Sequence, residues 1–143
     1  MSDESLFIDA NILVYAHDKD ARVEHETAKT LIRELWSGIR LPSISVQVLQ
    51  EFYVNLLRKG VSEDEASGAV HDYLNWHVVD NDRSLLTSGI EERRRYKISF
   101  WDGLILAAAR RAGANVLWSE DFNAGQNYDG VLAVNPLLRK KQE

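Results

Sequence analysis

The chain has no cysteine. That excludes a disulfide scaffold, a Cys-ligated zinc or iron–sulfur centre and a thiol nucleophile, and it fits a reducing compartment. No apolar run approaches the ~20 residues of a membrane span. The N-terminus, Met1 to Ser5, lacks the basic stretch and long apolar run of a signal peptide. A mature cytoplasmic protein away from membranes is therefore expected. Positive charge is in deficit, with 17 Lys and Arg against 22 Asp and Glu and a net charge of −5, which argues against coating nucleic acid through bulk positive charge. With only 2 Pro and 8 Gly, collagen-like and low-complexity classes also fall away.

What is present suffices for one core. Apolar residues make up 45% of the 143 positions, and a domain of this length buries roughly two-thirds of its unfolded surface. A second domain has no room, and neither a repeat nor a linker is visible. Leu6, Phe7 and Ile8 read as a strand that stops at Asp9, and a helical turn begins at Asn11. From Glu24 to Trp36, Ala28, Leu31, Ile32 and Leu35 recur at helical spacing. A brief strand is expected at Ile39 to Leu41, ended by Pro42. Ser43 or Ser45 can cap the next helix, which runs through Leu49, Phe52 and Leu56 to Gly60. Ser62 with Glu65 forms a capping box for a helix to about Leu74. Val78 and Val79 suggest a strand, and a helix follows through Leu85, Leu86 and Ile90 to Tyr96. Ser99 caps a helix whose Leu104 to Ala109 run is continuously apolar, as in a helix buried on most sides. Val116 to Trp118 and Val131 to Val134 complete the strands. Alternation of short strands with helices predicts an α/β layered domain with a mainly parallel sheet, and such sheets bind ligands beyond the carboxyl ends of their strands.

Four acids stand at strand ends or in apolar surroundings: Asp9, Glu51, Asp102 and Asp121. Each has a plainer reading. Asp9 could cap the helix that follows it, Asp121 could open a loop, and Asp102 has capping-box spacing from Ser99. Glu51 shares a helix side with Gln47, Asn55 and Arg58, opposite the apolar face, as a solvated residue would. Two strands that both end in carboxylates, however, place both acids on one rim of a parallel sheet, which capping does not require. If all four converged, one pair at ~5 Å would cost about 3 kcal/mol at an effective dielectric of ~20, so counter-charge would be needed. Oxygen-only ligands, without cysteine or a His-x-x-x-His pair, select a hard cation, magnesium or manganese rather than zinc. The histidines are scattered, and His17, the nearest in sequence, reads as a surface residue. Basic runs occur at Arg93, Arg94 and Arg95, at Arg110 and Arg111, and at Arg139, Lys140 and Lys141. Solvated helix ends and a tail would look the same.

Taken together, Phe7-Ile8-Asp9-Ala10-Asn11-Ile12-Leu13-Val14-Tyr15, Gln50-Glu51-Phe52, Ser99-Phe100-Trp101-Asp102 and Leu117-Trp118-Ser119-Glu120-Asp121-Phe122 resemble PIN-domain ribonucleases, particularly VapC-type toxins of bacterial toxin–antitoxin pairs. The resemblance spans Leu6 to about Pro136. It implies a three-layer PIN-like domain over 1–143, with a core at about 6–136 and a basic tail at 137–143. It also implies that Asp9, Glu51, Asp102 and Asp121 are the catalytic, metal-binding acids, with Asn11 and Ser119 orienting them. Glu120 adjoins Asp121, and the Ser119-x-Asp121 pattern favours Asp121 as the acid that faces the metal. The implied activity is magnesium-dependent endonucleolytic hydrolysis of RNA, with manganese an alternative ion, an antitoxin occupying the same groove, and assembly as a homodimer to which residues near Tyr73 and Trp76 could contribute. RNA would be held by basic residues at the rim, for which Arg93, Arg94, Arg95 and Arg110 are the candidates.

Two other readings compete. Asp9-x-Asn11 after a strand is similar to haloacid-dehalogenase phosphatases, but Asn11 removes their second, general-acid aspartate, and Lys97 precedes Asp102 only in a connecting segment. A non-catalytic module could instead use the acids for a structural metal or a basic partner.

Overall fold

The computed structural model describes residues 4–138. The basic run at 139–141 lies outside the described residues. Strand β1 (Leu6–Ile8) leads into helix α1 (Ala10–His17), and a short 3-10 turn leads to α2 (Val23–Trp36). Strand β2 (Ser43–Ser45) passes directly into α3 (Val46–Arg58), followed by α4 (Glu63–Tyr73) and β3 (His77–Val79). Helices α5 (Arg83–Tyr96) and α6 (Phe100–Arg111) precede β4 (Val116–Trp118) and β5 (Leu132–Val134). All five strands pair in parallel, in the order β3-β2-β1-β4-β5. An α/β domain with helices flanking a parallel sheet is what the alternating pattern predicts.

Short polar side chains start the helices. Ser45 accepts from the Val48 amide at 3.2 Å, Ser62 from Glu65 at 3.1 Å and Ser99 from Asp102 at 3.0 Å, so each provides a partner for a first-turn amide that the helix leaves unpaired. The strands then need little length, because both sheet faces are covered. Phe7, Ile8, Ile44 and Leu117 have no exposed surface, nor do Ile12 and Leu13 of α1 or Leu106 of α6. Full burial of one such side chain is worth about 1.5–3 kcal/mol, so the centre of the sheet and these two helices form the stable heart of the domain.

Helices α5 and α6 approach closely through two glycines. A Cβ added at Gly103 would sit 2.5 Å from the Gly89 carbonyl oxygen, and one at Gly89 would sit 2.6 Å from a Leu104 methyl. Neither position has room for a side chain.

Two expectations are corrected. The strand expected at Ile39–Leu41 lies instead beyond Pro42, at Ser43–Ser45. Ile39 projects fully into solvent, so that stretch is a surface approach, and the strand residues are those that pair with His77 to Val79. Tyr73 and Trp76, considered for a dimer surface, are 3% and 4% exposed. Their rings pack edge to face at 4.8 Å within a cluster that includes Trp36 and Phe52. They belong to the core.

Candidate active site

β1 and β4 are neighbours with Ile8 opposite Trp118, and the Asp9 amide donates to the Trp118 carbonyl at 2.9 Å. The chain turns away from both strands at one level, so Asp9, Ser119 and Asp121 come together beyond their carboxyl ends. This is also where the topology switches, since β1 is followed by strands on one side and β4 opens the other.

Asp9 is 3% exposed. One carboxyl oxygen accepts from the Ala10 amide at 2.8 Å and the other from the Ser119 hydroxyl at 2.8 Å. Asp9 therefore caps α1, while facing the charges of Asp121 and Glu51. Burial pushes its pKa from the usual 3.8 up to about 7; the two hydrogen bonds oppose the shift, and the charges of Asp121 and Glu51 add to it. The Ser119 oxygen in turn accepts from the Asp121 amide at 3.0 Å, and Asn11 Nδ2 donates to Asp121 Oδ2 at 3.1 Å. Asn11 and Ser119 thus tie the two strand-end acids into one hydrogen-bonded chain.

Glu120 is turned elsewhere. Its amide donates to Asn11 Oδ1 at 3.3 Å, and its carboxylate accepts from the Tyr15 hydroxyl at 3.1 Å. Asn11 and Tyr15, four residues apart on one face of α1, therefore separate the adjacent acids, with Asp121 directed to the Asp9 side and Glu120 to the Tyr15 side.

Glu51 and Asp102 arrive from helices, each half-buried. Asp102 stands in the first turn of α6, where burial raises its pKa and the charges of Asp121 and Glu51 raise it further, against a hydrogen bond from Ser99. The solvated reading of the Glu51 face fails. Gln47 is 5% exposed, and its Nε2 donates both to Glu51 Oε2 at 3.1 Å and to the Trp101 carbonyl at 3.2 Å. Sequence pattern did not single out Gln47 or Tyr15. The four-residue spacing of Gln47 from Glu51 was the available signal.

Among the described residues no three His, Asp or Glu side chains are already drawn together as a metal-coordinating cluster. The donor chemistry nevertheless suits a hard cation: the four acids offer only oxygen, and their mutual charge adds to the upward pKa shifts of Asp9 and Asp102. His17 is an exposed residue at the far end of α1, 2.9 Å from the Tyr73 hydroxyl, and takes no part.

The basic candidates divide. The Arg95 guanidinium pairs with Asp129 at 3.0 Å and lies 5.1 Å from the Tyr96 ring centroid. Arg110 binds the Glu92 carboxylate through Nε and the carbonyls of Tyr128 and Asp129 at 2.6 and 3.0 Å, so it is occupied in holding the loop before β5. Arg93 and Arg94 border a shallow exposed notch with Lys97 and Ile98, and Arg93 packs beside Gly103, one residue from Asp102.

The sequence of the PIN domain family matches residues 6–128. The chain belongs to the PIN domain family. Solved structures share its PIN fold. The Mycobacterium tuberculosis toxin VapC20, which cleaves the sarcin–ricin loop, has a TM-score of 0.65 and 22% identity over 83% of this chain and 92% of its own. A toxin–antitoxin complex from Klebsiella pneumoniae has a TM-score of 0.65 and 20% identity over 92% of this chain and 98% of its own. VapBC2 of Rickettsia felis, bound to a DNA fragment from its promoter, has a TM-score of 0.58 and 20% identity over 80% of this chain and 86% of its own. No curated protein matches the chain significantly in sequence.

Proposed function

We propose that this PIN protein is a magnesium-dependent endoribonuclease and the toxin of a toxin–antitoxin pair, acting in the cytoplasm. The observation that carries the reading is the buried Asp9. A carboxyl pushed up to about 7 at the meeting point of β1 and β4, with the charges of Asp121 and Glu51 acting on it, is costly for folding and is explained by a cation it serves. Membership of the PIN family and fold likeness to a sarcin–ricin-loop-cleaving toxin support RNA as the polymer and a toxin as the biological role. Fold likeness to toxin–antitoxin complexes supports an antitoxin as protein partner. No helix among the described residues is long and apolar enough to cross a membrane. A homodimer remains part of the proposal through the family resemblance.

Asp9, Glu51, Asp102 and Asp121 would hold the ion, with manganese able to replace magnesium. When bound, such an ion supplies a water of lowered pKa and positive charge for the phosphoryl oxygens. The chain's own groups prepare for it. The Ala10 amide and the Ser119 hydroxyl hold the Asp9 carboxylate in one orientation, and Asn11 does the same for Asp121. Of the four basic candidates, Arg93, beside Gly103 of α6, and its neighbour Arg94 would meet an RNA backbone, whereas Arg95 and Arg110 already have partners in the fold.

The test is magnesium-dependent cleavage of bulk RNA. Wild type should cut, and Asp9→Asn should retain less than about a tenth of the rate while folding normally. Cleavage by Asp9→Asn above that level, or cleavage by wild type undiminished in chelator, would refute the assignment. Sequencing of RNA ends after induction in cells would then identify the target.

A further inference from the structure

Gln47 lies in the first turn of α3 and is 5% exposed. A buried amide costs stability unless its groups are bonded, and a Met or Leu would fill this position without that cost. Its two N–H groups go to two different elements, one to Glu51 Oε2 at 3.1 Å and one to the Trp101 carbonyl at 3.2 Å. Both acceptors lack protons, so they fix which end of the amide faces them. Trp101 belongs to the first turn of α6, and as a helical carbonyl its oxygen already has the amide one turn on. The bond from Gln47 therefore does not satisfy an orphaned carbonyl. What it does is anchor the amide so that the other N–H points at Glu51.

We propose that Gln47 is a positioning residue: it clamps the Glu51 carboxylate of α3 against the turn of α6 that carries Asp102, and so sets the spacing of these two acids for a divalent cation. The inference rests on the nuclease reading above. Only one of the two Glu51 oxygens is engaged by the clamp, and the partner is a neutral donor. The carboxylate thus gains a fixed orientation without a counter-charge beside it, which an Arg or Lys partner would bring. Without Gln47, Glu51 is a side chain with three rotatable bonds, free to swing away from Asp102.

The experiment measures Mn2+ binding by titration calorimetry on the full chain, with magnesium-dependent RNA cleavage alongside. Gln47→Met keeps the volume and removes the donors. Loss of a group that orients a metal ligand typically costs about 10–100-fold in metal affinity. Gln47→Met should weaken Mn2+ by that factor, with cleavage recovering to within about threefold of wild type at saturating metal. In a Glu51→Gln background the same change should add less than about twofold, because its effect runs through the carboxylate already removed. Mn2+ affinity of Gln47→Met within about threefold of wild type, or an equal loss in both backgrounds, overturns the clamp. If Gln47→Met does not fold, Gln47→Asn keeps an amide that is one methylene too short to span both partners, and the same outcomes apply to it. Wild type that neither binds Mn2+ nor cuts RNA overturns the nuclease reading and this inference with it. Wild type that does both while Gln47→Met matches it overturns the clamp alone.

Discussion

Asp9→Asn should make the metal-free protein more stable, and increasingly so as pH rises. In the fold, burial holds the Asp9 pKa at about 7 against an ordinary 3.8. Between those values the native state keeps a proton that the unfolded chain has released. Asp9 therefore costs nothing below about pH 4, and its cost grows as pH climbs toward 7. A difference of this size corresponds to about 4 kcal/mol once both forms are ionised, of which about 2 kcal/mol is already present at pH 5. Asparagine has no charge to desolvate. It does leave the Ser119 hydroxyl without the acceptor it now has at 2.8 Å, a loss of about 1 kcal/mol. The balance favours the mutant by roughly 1 kcal/mol at pH 5 and roughly 3 kcal/mol at pH 8.

Urea denaturation of both proteins in chelator, from pH 5 to 8, measures this difference directly. Asp102, whose pKa is also raised by burial, is present in both proteins, so its contribution largely cancels. Excess Mg2+ should then reverse the order at pH 8, since a ligand bound to the native state stabilises wild type in proportion to its affinity. A stability difference that stays flat between pH 5 and 8, or a mutant less stable than wild type at pH 8, would show that Asp9 carries its charge in the fold without cost. Its burial would then no longer call for a cation.

Ser119→Ala removes a hydrogen bond to the charged form of Asp9, so the acid limb of the pH–rate profile for RNA cleavage should move alkaline by about one pH unit; an unmoved limb would mean that Ser119 does not act through Asp9. Gly103→Ala forces a Cβ to 2.5 Å from the Gly89 carbonyl, and thermal melts should show a loss of about 1–3 kcal/mol. Replacing Arg93 and Arg94 by Ala should weaken RNA binding and flatten its dependence on salt, while Arg95→Ala alone should do so less, given its pairing with Asp129; filter binding from 50 to 200 mM salt compares them.

Local signals account for most of what the sequence revealed of the fold. The caps at Ser45, Ser62 and Ser99, the helical apolar spacings and the short runs at Leu6–Ile8 and Val116–Trp118 are each decided within a few residues, and the corresponding elements are present. The misplaced strand shows where locality ends. Ile39 and Leu41 look as suitable for a strand as Ile44, but only Ser43–Ser45 lies in register with both Phe7 and His77–Val79, and register is a property of the sheet. Tyr73 and Trp76 were unreadable for a related reason. Tyr73 ends α4, a helix thin in apolar residues, and Trp76 lies just beyond it; what buries them is contact with Trp36 and, for Tyr73, Phe52 from other helices.

The same distinction runs through the acidic group. Asp9 and Asp121 were legible because a parallel sheet aligns its strand ends, so two acids 112 positions apart are brought to one rim by topology alone. Glu51 was not legible, because Gln47, Glu51 and Asn55 form a polar stripe opposite an apolar one, and on an isolated helix that stripe faces water. The partner across the stripe is the first turn of α6, whose Trp101 carbonyl accepts from Gln47, and no window around Glu51 contains it. A polar stripe covered by a second helix must be bonded across the contact or it destabilises both. The Gln47 amide is therefore both the reason the stripe can be buried and the means by which Glu51 is directed, and packing and site geometry at this contact rest on the same two hydrogen bonds.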